Sequence, residues 1–128
     1  MREEARLWWE QARHDMETAD ILLDAKRYDA ASFYFEQAVE KALKAAYIVT
    51  KRETPGPTHS LTKLGRECGL PAGYGAFLRN LTSDYYVSRY PDATGDIPFE
   101  IYEVDDVRET SRLAHEIVRW LEQLINKS

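Results

Sequence analysis

Between Val104 and Ile125 small and apolar side chains return every third or fourth residue. Val104, Val107, Ser111, Ala114, Val118, Leu121 and Ile125 form one stripe, and Leu113, Ile117, Trp120 and Leu124 form the next. A strand shows each face at every second residue and could not bury this pattern, whereas a helix gathers it on one side. A helix of this length, roughly 30 Å at 1.5 Å per residue, must lay its stripe against other helices.

The same period recurs along the chain. From about Glu3 to Ala25, Trp8, Ala12, Met16, Ala19 and Leu23 mark an apolar side opposite Glu10, Gln11, Arg13, Asp15, Glu17 and Asp20. The pattern breaks at Lys26-Arg27-Tyr28-Asp29, where the basic residues suit a helix C-terminus and Asp29 suits the next N-cap. Ala30 to Val49 carries two stripes: Ala31, Phe35, Ala38, Ala42, Ala45 and Val49, widened by Val39, Leu43 and Tyr47. Two stripes predict two neighbours, and the alanines predict close approach. Glu40 and Lys44 read as a favourable i,i+4 pair. Thr54-Pro55-Gly56-Pro57 ends this helix.

Thr58 or Ser60 can cap a short third helix bearing Leu61 and Leu64 and ending between Gly65 and Gly69. A fourth follows Pro71, with Tyr74, Phe77, Leu78, Leu81 and Tyr85 on its apolar side, and stops before Pro91. Asp92 to Tyr102 reads as a loop in which Ile97, Phe99 and Ile101 alternate, predicting an extended arm over the bundle or a neighbouring subunit. The last helix should start at Asp105 or Asp106. No internal repeat interrupts this order. The expected fold is all-α: one domain over residues 1–128, an up-and-down bundle of four main helices plus one short helix.

With 128 residues, 44% apolar and 30% charged, the chain suffices for one core without disulfides or metal. Cys68 is the single cysteine, which predicts a reducing compartment and no zinc cluster. Met1-Arg2-Glu3-Glu4 is charged where a signal peptide needs an apolar run, so a cytoplasmic location without a membrane span is expected. The net charge of −5 argues against coating nucleic acid by bulk electrostatics, so any anion site must be focal.

The chain has no glycine-rich phosphate loop, nucleophile elbow, zinc spacing or pair of histidines on one helix face, and no metal or cofactor is expected. Arg89 and Tyr90 close the fourth helix: a guanidinium offers forked donors to phosphate and a tyrosine ring can stack on a base. The bland alternative has Arg89 capping free carbonyls over Tyr85 and Tyr90. His59 lies at a helix N-terminus, whose dipole favours a neutral imidazole. Arg108, Arg112, His115 and Arg119 line one stripe of the last helix, either a secondary anion surface or a solvated face neutralised by neighbouring carboxylates. Trp8, Trp9, Trp120 and Tyr86 read as core or dimer contacts, with one of the adjacent tryptophans at the margin.

Three segments, in order, resemble the HEPN domain: Gln37-Ala38-Val39-Glu40-Lys41-Ala42-Leu43-Lys44-Ala45, Thr58-His59-Ser60-Leu61, and Tyr85-Tyr86-Val87-Ser88-Arg89-Tyr90-Pro91-Asp92. The resemblance implies a four- or five-helix bundle, usually a homodimer, often encoded beside a minimal nucleotidyltransferase, whose relatives bind nucleotides, cut RNA without a metal or act in toxin-antitoxin pairs. The ribonuclease branch places a histidine a few residues after the arginine. After Arg89 those positions hold Thr94, Gly95 and Asp96, while Arg52 with His59 and Arg108 with His115 meet the spacing outside the motif. The expectation is therefore a non-catalytic module that binds a nucleotide, RNA or a partner nucleotidyltransferase through Arg89, Tyr90 and Tyr85, with His59, Lys44 and Lys63 nearby. A metal-independent endoribonuclease and a purely structural assembly domain are the alternatives.

Overall fold

The computed structural model describes residues 1–58, 60–93 and 95–128. Among them lie α1 (Glu3–Asp24), α2 (Tyr28–Lys51), α3 (Leu61–Glu67), α4 (Gly75–Val87), α5 (Pro98–Ile101) and α6 (Val104–Lys127). None is long and apolar enough to cross a membrane. The four long helices and the short α3 match the expected bundle.

α2 is the hub, packing against α1, α3, α4, α5 and α6. The reason is its small-residue surface: Ala31, Ala38, Ala42, Ala45 and Ala46 are fully buried, as are Phe35, Val39, Leu43 and Ile48. Pairs between Asp15 and Lys41 and between Glu4 and Thr54 set α1 antiparallel to α2. Asp20 with His115 at one end, and Trp9 facing Glu122 across a groove, set α1 antiparallel to α6 as well. α6 buries Val107, Ala114, Ile117, Leu121 and Ile125, members of the two stripes legible in the sequence.

The two main helices of the N-terminal half join through a tight turn at Ala25–Arg27. Lys26 adopts φ 64°, with Lys26 N–H bonded to the Leu23 carbonyl and Arg27 N–H to that of Leu22. This double bond closes a helix end around a left-handed residue, a place that glycine occupies most comfortably. α3 ends the same way with Gly69 at φ 77°. Because a side chain in this conformation is disfavoured, Lys26→Gly is expected to stabilise the fold by about 0.5–1 kcal/mol, a rise of a few degrees in Tm by calorimetry.

Several local expectations are corrected. Trp9, rather than Trp8, enters the core, and Trp8 sits half-buried at its margin. Asp29 lies in the first turn of α2 instead of capping it, and α6 begins one residue before Asp105. Of the two candidate caps for α3, Ser60 serves, accepting from Lys63 N–H at 3.2 Å. The predicted extended arm is instead a turn at Pro91–Ala93 and the single helical turn α5. Pro98 starts that turn with its φ already set for a helix, and Ile97 before it is held extended. Burial consequently falls on Pro98 and partly on Tyr102, leaving Ile97, Phe99 and Ile101 exposed.

Candidate functional site

α4 stops at Val87, and the next residues turn Arg89 back across the helix end. Its Nε donates to the Tyr85 carbonyl at 3.0 Å. The guanidinium carbon lies 4.2 Å from the Tyr85 ring centroid, 4.6 Å from that of Phe33 on α2 and 4.8 Å from that of Tyr90. Three ring faces thus hold the cation from below. Among the described residues no carboxylate pairs with it, so its outer nitrogens remain free to donate. Tyr90 is 45% exposed and stands at the rim.

Behind this cradle, α2 carries Ser32, Glu36, Glu40 and Lys44 at four-residue steps, all buried. Sequence periodicity makes such a row look like a solvated face, but the helices packed around α2 cover it. The Glu40–Lys44 pair is therefore internal, at 3.3 Å, and the ammonium also lies 5.1 Å from the Trp8 ring centroid. Glu36 receives one hydrogen bond, from Gln37 at 2.7 Å, and burial pushes its carboxyl up to about 7, reinforced by the charges of Glu40 and Asp84 and opposed by Arg89. Asp84 on α4 is likewise raised, to about 6, chiefly by burial, although the Tyr102 hydroxyl donates to it at 2.7 Å.

The sequence-predicted residues separate into groups. Arg89, Tyr85 and Tyr90 come together as expected. Lys44 does not join them: it lies two helical turns beyond Glu36, turned toward α1. Lys63 is exposed in the first turn of α3, and His59 lies outside the described residues. The secondary basic stripe is largely neutralised. Arg112 is bound by Glu109 and Glu116, and His115 shares a 2.8 Å hydrogen bond with Asp20 on α1, leaving Arg108 and Arg119 exposed. His115 touches Phe35, whereas Arg89 touches Phe33; two residues apart on α2, these rings point to opposite sides of the helix. Phe33, Glu36, Asp84 and Tyr102 were not singled out in the sequence, because only tertiary packing joins them to Arg89.

A family model described as the HEPN domain matches residues 5–124. A crystal structure of a protein from Thermus thermophilus superposes with a TM-score of 0.86 at 30% identity, covering 96% of this chain and 99% of the other. That of an archaeal HEPN homologue superposes with a TM-score of 0.78 at 28% identity, covering 98% and 99%. No similar sequence is found among curated proteins.

Proposed function

This chain belongs to the HEPN domain family, and on that footing we propose that it is a non-catalytic module that binds a nucleotide or RNA phosphate at Arg89. The observation that carries the reading is the guanidinium itself: seated on three rings, with its outer nitrogens unclaimed by any carboxylate among the described residues. Stacking fixes the plane of the fork, so less side-chain freedom is lost when it meets two phosphate oxygens. Tyr90 at the rim supplies a face for a base. The overall negative charge keeps this attraction local.

Dimerisation, common among HEPN domains, fits the exposed apolar residues Ile97, Phe99 and Ile101 and Tyr86, whose ring packs on Tyr85 of the cradle. A partner nucleotidyltransferase or the other half of a toxin-antitoxin pair would meet the same end of the bundle. His115 does not join Arg89: it stands on the other side of α2 and is engaged by Asp20.

Arg89→Ala is expected to weaken binding of a short RNA or a nucleoside triphosphate about tenfold or more, the effect of losing a charge-assisted fork. Tm should fall by no more than a few degrees, since the side chain is exposed. Calorimetric titration giving equal affinity for the two proteins would overturn the reading. Incubation with RNA in EDTA should leave the RNA intact, and cleavage would reverse the ranking in favour of the enzyme.

A further inference from the structure

We propose a second ligand site, distinct from the Arg89 cradle: the cleft between α2, α4, α5 and α6, which the geometry suits to a primary ammonium group on a short aliphatic stem. The cleft encloses about 280 Å³. Its inner wall carries Ser32 and Asp84; Val87, Ile101 and Val107 form an apolar flank. Ser32 is 1% exposed, and its hydroxyl finds no hydrogen-bond partner among the described residues.

Buried polar groups in folded proteins are nearly always satisfied, so an unpartnered hydroxyl beside the half-buried Asp84 carboxylate calls for a partner. The described residues do not supply it. Tyr102 spends its one proton on Asp84 Oδ1, and the Thr110 hydroxyl donates to the Asp106 carbonyl. Arg89, the cation whose charge reaches Glu36, stays on its rings outside and makes no ion pair with Asp84 among the described residues. Asp106 lines the cleft and Asp29 acts on Tyr102, and both add negative charge at this end of the bundle.

The carboxylates of Asp84 and Asp106 accept, and the Ser32 hydroxyl can accept as well as donate, so the wall favours a group rich in donors. An alkylammonium has three N–H bonds and no acceptor, and its methylenes match the valine and isoleucine flank. A guanidinium is planar and broader, and a divalent cation would want more carboxylates: no three His, Cys, Asp or Glu side chains converge to hold a metal among the described residues.

The test titrates the full chain with butylammonium chloride and, separately, with the neutral isostere n-butanol, following backbone amide shifts by NMR. Saturable shifts confined to residues around Ser32, Val87 and Tyr102, with n-butanol about tenfold weaker or worse, are expected from the charge difference. Asp84→Asn should lower butylammonium affinity by about tenfold or more. Should that variant fail to fold, Thr110→Phe leaves the carboxylate in place while filling the cleft from α6, and is expected to abolish the shifts. The proposal is overturned by a lack of saturable binding, by equal response to butanol, or by affinity unchanged in the variant that folds.

Discussion

Replacing Lys41 by methionine is expected to destabilise the protein by about 3–5 kcal/mol, the range for removing one partner of a buried ion pair. Asp15 is 2% exposed, and its two hydrogen bonds come from Lys41 at 2.6 Å and from Gln11 at 2.9 Å. The pair itself contributes little compared with an apolar contact of the same shape; the loss comes from the carboxylate left without its counter-charge. Replacing both residues, Asp15→Leu with Lys41→Met, should consequently recover most of the stability. Urea denaturation of the single and double variants checks this, and equal loss in both would show that packing, rather than orphaned charge, sets the effect.

Glu36→Gln should move stability in the opposite direction. The Glu36 carboxyl is raised from 4.5 to about 7 by burial in the fold, so the unfolded chain ionises first as pH rises. Below 4.5 both states hold the proton and nothing is lost; from there stability is given up until pH passes about 7, where the folded protein must carry the charge. A rise of this size is worth about 3 kcal/mol at pH 8. Asp84, raised from 3.8 to about 6, adds a similar loss at lower pH. The glutamine variant, which keeps an acceptor for Gln37, should match the parent near pH 4 and exceed it by about 2–3 kcal/mol at pH 8. Urea midpoints at the two pH values decide it; a constant difference would assign the effect to shape instead of charge.

The two carboxylates also show where a sequence is legible. Helices α1, α2, α4 and α6 announce themselves because a 3.6-residue period survives whatever they pack against. Their ends are less visible: α2 and α6 start without a side-chain cap, so Asp29 and Asp105 marked the neighbourhood and not the boundary. In the arm, alternation of Ile97, Phe99 and Ile101 suggested a strand, but the backbone preference of Pro98 prevailed over four residues too few for any period to be diagnostic. At the site, Arg89, Tyr85 and Tyr90 were readable as a group because one helix end holds all three. Glu36 was not, since a charged residue in an alanine-rich helix looks solvated until α4 is laid over it. Asp84 and Tyr102, 18 residues apart, meet only when the arm folds back.

The ion pair between Asp15 on α1 and Lys41 on α2 also bears on how uniquely the helices are seated. An alanine-lined surface is smooth, and a neighbouring helix could slide along it by one turn, about 5.4 Å, with little change in apolar contact. Asp15 and Lys41 turn that degenerate surface into a keyed one: a one-turn slip would leave the buried Asp15 carboxylate without its counter-charge, at a cost that smooth packing cannot offset. The same groups that add little to the depth of the native minimum therefore separate it from its nearest competitor.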